Sequence, residues 1–153
     1  MTTAELSTIH SKNRARLRKA LKHHKQQMNE SIKKEDEFKS PINIRFYMIL
    51  QVAWLETSLQ YLIHHYHKQI NSYLREDILK QRSQLDMWKH LINIKFREHY
   101  MKGKDKDFTV RNLGHTAHSR YEYLNNLLEN EIAAFIEIRN KLAHGQWAIA
   151  LNN

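Results

Sequence analysis

The sequence predicts an all-α protein, an antiparallel helical bundle of about four to five helices. Turn-forming residues are scarce, since the 153 residues include three glycines and one proline, which leaves little material for tight hairpins. Apolar residues recur at helical intervals along most of the chain, and sustained alternation typical of a strand is absent from the sequence. With 41% hydrophobic residues, a single domain over residues 1–153 is expected.

The first predicted helix spans residues 4–37 and carries a narrow apolar stripe. The stripe consists of Leu6, Ile9, Leu17, Leu21, Met28 and Ile32. Such a helix packs along one thin seam, against the rest of the domain or against a second chain. Between Lys12 and Lys25 the sequence has seven Lys or Arg and no acid. This basic segment is either a solvated helix face or a surface for nucleic acid, with candidate RNA-binding residues Arg14, Arg16, Arg18 and Lys22.

A second helix is predicted from the segment KSPI at 39–42, with Ser40 as the N-cap and Pro41 in the first turn. The chain then stays apolar to residue 70 on more than one helical face, which is typical of the central helix of a bundle. Glu56 lies within this segment, where a carboxylate is costly unless it is paired or half exposed. Four aromatic side chains are expected in the core: Trp54, Tyr61, Tyr66 and Trp88.

Two further helices complete the predicted bundle. One spans roughly residues 76–101 and is followed by a charged loop at 102–107. Residues 108–118 form either a short helix or an ordered loop. The last helix spans about 119–144, and Gly145 follows as its C′ residue.

Charge and composition indicate the kind of partner. The 25 Lys and Arg against 16 Asp and Glu give a net charge of +9, which suggests RNA, DNA or an anionic membrane surface. The absence of cysteine excludes disulfides, thiol catalysis and thiolate metal sites. The sequence begins without an apolar signal core, and no segment approaches the ~18 uninterrupted apolar residues of a membrane span. A cytoplasmic protein without a membrane span is therefore expected.

The segment IRNKLAHGQW at 138–147 contains residue types suited to phosphate chemistry. Arg139 offers a planar fork of donors to a phosphate, and His144 is a proton carrier near neutral pH. Asn140 and His144 share a helix face, whereas Arg139 lies about 140° from His144 at ~100° per residue. Distortion of the helix end, or a second copy across a two-fold axis, would be needed to bring the two groups together. The same residues are also an ordinary helix end, with a basic last turn before glycine.

The segment IRNKLAH resembles the signature of the HEPN superfamily of small helical-bundle ribonucleases. That signature is an arginine, a polar residue, a few variable residues and a histidine, and Arg139, Asn140 and His144 match it. Some members carry a tyrosine two residues after the histidine. Gln146 stands there in this chain, so no role that depends on the tyrosine is carried over. Elsewhere the resemblance covers the general pattern of long helices.

The resemblance implies a metal-independent endoribonuclease that needs no cofactor. His144 would act as a base toward the 2′-hydroxyl or as an acid toward the leaving 5′-oxygen. Arg139 would hold the phosphate and Asn140 would orient the imidazole or donate to a phosphate oxygen. The products would be a 2′,3′-cyclic phosphate and a 5′-hydroxyl. The resemblance also implies a homodimer with facing motifs, and a toxin–antitoxin or phage-defence system with an antitoxin or other regulatory partner.

Several residues could support this site. Glu56 is expected either to be an exposed acid or to form a buried pair that fixes Arg139. Gln146 and Trp147 would offer a polar contact and a base-stacking surface, and Lys141 would contact RNA. Two rivals stay open: a non-catalytic RNA-binding or assembly module, and a basic bundle associated with DNA or a membrane surface.

The remaining charged groups are interpreted as non-catalytic. Glu137 is expected to form a surface helix pair with Lys141. The histidines are expected to be exposed or to contact RNA rather than to bind zinc, because cysteine and a nearby acid are lacking. They are His23 and His24, His64, His65 and His67, and His115 and His118.

Overall fold

A computed structural model describes residues 2–66 and 70–144 of the chain. Its elements are α1 (Thr3–Lys33), α2 (Lys39–His65), α3 (Ser72–Leu79), α4 (Gln84–Met101), α5 (Val110–Leu113), α6 (His115–Asn126), a π-helix (Leu127–Ile132) and α7 (Ala133–Ala143). The predicted all-α helical bundle is confirmed. Where the sequence predicts one domain, the structure distinguishes two compact units. The first unit contains α1, α2 and α7 from Phe135 onward, and the second contains residues 72–134.

Local hydrogen bonds define the ends of α1. The Thr2 hydroxyl accepts the amide of Glu5 at 3.2 Å, while the Glu5 carboxylate accepts the amide of Thr2 at 2.7 Å, so two unpaired donors of the first turn are satisfied. The helix ends at Lys33, four residues before the predicted end. Glu35 adopts a left-handed φ of 51°, a conformation that does not continue a right-handed helix.

Asp36, rather than Ser40, caps the start of α2. The Asp36 carboxylate accepts the amide of Lys39 at 2.8 Å, and the Asp36 carbonyl oxygen accepts the amide of Ser40 at 2.9 Å. The backbone hydrogen bond from Lys39 lowers the pKa of the Asp36 carboxyl. The prediction that Ser40 is the N-cap is therefore wrong. Pro41 does lie in the first turn, where a missing amide hydrogen costs no helical hydrogen bond.

The seam that α1 presents to α2 differs from the predicted apolar stripe. A heptad-spaced series of at least partly buried residues runs along α1: Thr3, Ser7, His10, Arg14, Leu17, Leu21, His24, Met28 and Ser31. Ile9 and Ile32, two members of the predicted stripe, are instead exposed. The seam is as thin as expected, but most of its residues are polar. They are accommodated there because several have polar or aromatic partners on α2.

Contacts along this seam make α1 and α2 an antiparallel hairpin. Near the turn, the Asn43 amide donates to the Ser31 hydroxyl at 3.1 Å. At the far end, the Ser7 hydroxyl and His65 Nδ1 are 3.3 Å apart. Ser31 is almost fully buried, and its hydroxyl also donates to the Met28 carbonyl at 2.9 Å. The hairpin is thus held at both ends by side-chain hydrogen bonds.

The first unit also buries large aliphatic side chains. They are Val52, Leu59 and Ile63 of α2, together with Ile70 and Leu142. Trp54 and Tyr61 are partly buried, in line with the core position expected for them. Tyr66 is 45% exposed, so its predicted core position is wrong. It directly follows the last residue of α2, at the end of the helix.

The second unit begins with two helices where one was predicted. The predicted helix at 76–101 is divided into α3 and α4 because Ser83 caps the second of them. Its hydroxyl accepts the amide of Asp86 at 3.1 Å and donates to the Asp86 carboxylate at 2.8 Å. The sequence Ser-x-x-Asp is a helix-start signal. After α4, Lys102 and Gly103 adopt positive φ values, and the predicted charged loop follows.

A small aromatic core holds the rest of the second unit together. Met101, Leu113 and Ala117 are buried, and four aromatic side chains pack against them: Phe96, Tyr100, Phe108 and Tyr121. The Phe108 and Tyr121 rings stack with centroids 4.2 Å apart. Of the two alternatives for residues 108–118, the short helix is the one found, as α5.

The last predicted helix starts earlier than expected and is not uniform. Gly114, with φ 79°, separates α5 from α6, and helix continues from His115. The π-helix at Leu127–Ile132 was not predicted. The segment is α-helical again from Ala133 to Ala143, and the predicted C′ residue Gly145 lies outside the described residues.

Candidate active site

An ion pair connects the motif helix to α2 within the first unit. Arg139 Nη2 lies 3.7 Å from Glu56 Oε2, so the predicted pairing of these residues is present. The expectation that this pair is buried is wrong, because the Glu56 side chain is 57% exposed and that of Arg139 is 31% exposed. Solvent screens such a pair. Since a guanidinium carries five N–H groups, one carboxylate contact leaves donors for a phosphate.

Asn140 and His144 lie at the exposed end of the same helix. Both residues are exposed, and the His144 amide donates to the Asn140 carbonyl at 3.1 Å. That hydrogen bond continues the i to i−4 pattern by one residue beyond Ala143. The two side chains therefore share a face, as the sequence predicts, and both reach solvent.

Arg139 and His144 diverge around this helix. The backbone is α-helical from Ala133 to Ala143, so five residues of separation correspond to a rotation of about 140°. The described helix end is regular, so the first of the two expected solutions, a distortion that brings the Arg139 and His144 side chains together, is not found. Gln146 and Trp147, the expected polar and stacking residues, lie outside the described residues.

Lys141 has a partner of its own. Its ammonium lies 3.0 Å from the Glu137 carboxylate one turn earlier, so the predicted surface pair is confirmed. Lys141 is two residues from Arg139 and thus about 200° around the helix. The Lys141 ammonium is thus paired with Glu137 and lies on a different face of the helix from the Arg139 guanidinium.

Most of the positive charge of the chain lies on α1. This helix contains eight basic and two acidic residues, a net +6 of the +9 of the whole sequence. Arg16, Arg18 and Lys22 are exposed, as expected of residues that bind a polyanion. The helix of 31 residues is about 46 Å long at ~1.5 Å per residue, which is enough to follow several phosphates of an RNA strand.

Arg14 departs from the predicted set. Its Nε donates to the Ser58 hydroxyl at 3.1 Å, and its guanidinium carbon lies 4.4 Å from the Tyr61 ring centroid and 5.9 Å from that of Trp54. These contacts are a hydrogen bond and cation–π interactions across the helix seam. The structure thus places Arg14 inside the hairpin, not on the exposed surface expected of an RNA-binding residue.

One histidine that was expected to be exposed or to contact RNA is buried. His64 is 6% exposed, and its Nδ1 donates to the Gln60 carbonyl 2.8 Å away. The ring of His10 on α1 lies 5.4 Å from that of His64. Burial lowers the pKa of His10, and the neighbouring charge of His64 lowers it further. This pair is part of the hairpin seam.

The described part of the chain has neither a candidate metal site nor a membrane-spanning helix. Residues 2–66 and 70–144 contain no group of three or more His, Asp or Glu side chains placed to hold a metal ion. An acid does lie near one of the histidines that were not expected to bind zinc, since His118 Nδ1 is 3.6 Å from the Glu122 carboxylate. Within the same ranges, no helix combines the length and the apolar character required to cross a bilayer.

Comparisons with known proteins add no relative. The chain matches no protein-family model, and no curated protein or solved structure is significantly similar to it. The resemblance to a ribonuclease motif is therefore confined to Arg139, Asn140 and His144.

Proposed function

We propose that the protein is a metal-independent endoribonuclease of HEPN type that cleaves RNA by attack of the 2′-hydroxyl. The observation that carries the proposal is the Arg139–Glu56 ion pair, at 3.7 Å, on the same helix as exposed Asn140 and His144. A guanidinium held by a half-exposed carboxylate is oriented but still able to bind phosphate. The net charge of +6 on α1 supports RNA as the polyanion.

The reaction uses a nucleophile that the substrate supplies. An imidazole takes the proton of the 2′-hydroxyl, the 2′-oxygen forms a bond to phosphorus, and the bond from phosphorus to the 5′-oxygen breaks. A protonated group delivers a proton to the leaving 5′-oxygen. Arg139 holds the non-bridging oxygens as negative charge accumulates on them, while Asn140 orients the His144 imidazole or donates to the phosphate. The products are a 2′,3′-cyclic phosphate and a 5′-hydroxyl.

A homodimer would complete this site. Arg139 and His144 point about 140° apart on one helix, yet both must reach one phosphate. In the dimer we propose, a two-fold axis brings the Arg139 of one chain beside the His144 of the other. From the resemblance we also propose a cytoplasmic role in a toxin–antitoxin or phage-defence system, with an antitoxin or other regulatory partner.

Cleavage in the presence of a chelator tests the activity. The protein is incubated with total RNA and EDTA between pH 6 and 8, and the RNA ends are analysed. We expect 2′,3′-cyclic phosphate and 5′-hydroxyl ends, no cleavage of a strand with a 2′-deoxynucleotide at the cut position, and no cleavage by His144→Ala.

The His144→Ala variant should keep the circular dichroism spectrum of the wild type, because an exposed residue beyond the helix end contributes little packing. Intact RNA across this pH range would instead favour a non-catalytic RNA-binding or assembly module. The exposed basic face of α1 is the observation that favours that second function.

A further inference from the structure

A shallow groove lies along one flank of the α1–α2 hairpin. Its lining consists of Asn13, Arg16, Leu17 and Ala20 of α1 and Thr57 of α2. Arg16 and Asn13 are exposed and provide hydrogen-bond donors at its rim, while the small side chain of Ala20 leaves room between the helices. The Thr57 hydroxyl donates to the Ala53 carbonyl at 2.8 Å, which fixes its orientation.

One residue of the groove, Thr57, is next in sequence to Glu56 of the motif ion pair. Glu56 in turn holds Arg139. All three residues belong to the first unit. At about 100° per residue, the flank of α2 that forms the groove continues around the helix to the Glu56 carboxylate. A strand lying in the groove is thus on the side of α2 that leads to Arg139.

Arg16 lies on one flank of α1, and Arg18 and Lys22 lie on the other. Arg14 and Leu17 face the seam, since Arg14 contacts Ser58 and Leu17 is partly buried. Arg16 and Arg18 are about 200° apart around the helix, so they lie on opposite sides of the hairpin. Lys22, one turn after Arg18, shares its flank. Arg16 is on the flank that carries the groove.

We propose that this groove is the subsite for the RNA backbone adjacent to the scissile phosphate, with Arg16 pairing with a phosphate and the Asn13 amide donating to the same strand. The identity of the ligand rests on the function proposed above, and the location of the subsite rests on the groove. Arg16 offers the forked donors that phosphate recognition uses. The flank of Arg18 and Lys22 contributes only to long-range attraction, which salt screens.

Matched charge reversals on the two flanks test the location. Arg16→Glu and Arg18→Glu change the same charge in exposed residues of the same helix, and both are made with His144→Ala so that the RNA stays intact. We expect Arg16→Glu to weaken binding of fluorescent single-stranded RNA by about tenfold, with a shallower salt dependence by about one phosphate contact. Arg18→Glu should weaken it by less than about threefold. Equal losses would overturn the proposal.

A test that leaves the charge unchanged uses the absence of cysteine from the sequence. Single variants Ala20→Cys, in the groove, and Ala15→Cys, on an exposed part of α1, are labelled with a bulky maleimide. Labelling at position 20 should block RNA binding, whereas labelling at position 15 should leave it intact. Equal effects at the two positions would overturn the groove as the RNA subsite.

The same variants separate this inference from the proposed function. RNA binding that depends on Arg16, without cleavage by the wild type, supports the groove and contradicts the nuclease. If the wild type cleaves RNA but Arg16→Glu and Arg18→Glu weaken RNA binding equally, the groove subsite is contradicted and the nuclease is not. Binding of anionic phospholipid vesicles with the same Arg16 dependence, in place of RNA, would overturn RNA as its ligand.

Discussion

The guanidinium of Arg139 is held by the carboxylate of Glu56 at 3.7 Å, and both side chains remain open to solvent. An ion pair with this exposure contributes little to the free energy of unfolding. We expect its effect to be geometric, because a carboxylate beside Arg139 limits the directions in which the remaining N–H groups point. Removal of Glu56 should then affect the proposed reaction more than the fold.

Glu56→Gln should lower the rate of RNA cleavage by about tenfold, since a positioned arginine is one of several groups that stabilise the transition state. The free energy of unfolding should change by less than about 1 kcal/mol. Cleavage kinetics and urea denaturation measure the two effects. Glu137→Gln is the matched control, since it removes the surface pair with Lys141 and should leave the rate unchanged. Similar rates for the two variants would contradict a positioning role.

Arg139→Lys should reduce cleavage by about a hundredfold or more, because an ammonium does not reproduce the two parallel donors of a guanidinium. RNA affinity should fall much less, since the positive charge is retained. Single-turnover cleavage at saturating RNA separates these quantities. A near-normal single-turnover rate would remove Arg139 from the mechanism.

Arg14→Ala should destabilise the hairpin without a comparable effect on RNA binding. The variant loses the hydrogen bond to Ser58 and the contact with the Tyr61 ring, a loss of about 1–2 kcal/mol in the free energy of unfolding. Chemical denaturation measures it. Arg16→Ala, on the exposed side of the same helix, should change stability by less than about 0.5 kcal/mol. The opposite ranking would place Arg14 on the binding surface.

The contrast between Arg14 and Arg16 shows what the sequence predicts and what it leaves open. Helical periodicity predicts α1 and its basic character, because both depend on local spacing. It does not separate the two arginines, since burial of Arg14 depends on Ser58, 44 residues away. The predicted stripe includes Ile9, which is exposed, because the contact with α2 lies at heptad positions that are mostly polar and that a hydrophobic pattern does not reveal.

Other differences have local causes. The predicted helix at 76–101 is divided at Ser83 because the Ser83 hydroxyl accepts the amide of Asp86. The Ser-x-x-Asp spacing in the sequence already indicates this helix start. The pairing of Glu56 with Arg139 could be anticipated from charge, but its exposure could not. Exposure depends on how the helices pack, and sequence spacing alone does not specify that packing.

The pH dependence of stability should include a contribution from His10. Burial, followed by the charge of His64, lowers its pKa below the ordinary value of 6.5. The His10 imidazole therefore binds a proton more readily in the unfolded chain than in the folded one. Its contribution to the free energy of unfolding is fully present above pH 6.5 and is lost as the pH falls from 6.5 through the folded pKa. His10→Gln should lose less stability between pH 7.5 and 5 than the wild type does, as measured by urea denaturation.

Exposed His23, on the same helix, provides the control for His10. The variant His23→Gln should retain the wild-type dependence of the free energy of unfolding on pH. If His10→Gln and the wild type lose the same stability over this interval, His10 does not contribute to the acid sensitivity of the hairpin.

Complementation should reveal a shared site in the proposed homodimer. His144→Ala and Arg139→Ala chains are each expected to be inactive, and mixed dimers should regain part of the activity when groups from both chains act in different roles. RNA cleavage after unfolding and refolding the mixture measures this. Each variant refolded alone is the control. A monomer in solution that still cuts RNA would contradict the shared site.

The polar contacts of the α1–α2 hairpin imply an order in which it folds. Ser31 and Asn43 are 12 residues apart in sequence, Arg14 and Ser58 are 44 apart, and Ser7 and His65 are 58 apart. Once the contact nearest the turn has formed, each later one closes only a short additional loop, so the entropic cost is divided into small steps. We therefore expect the hairpin to close from Asp36 outward, one contact after another along the seam.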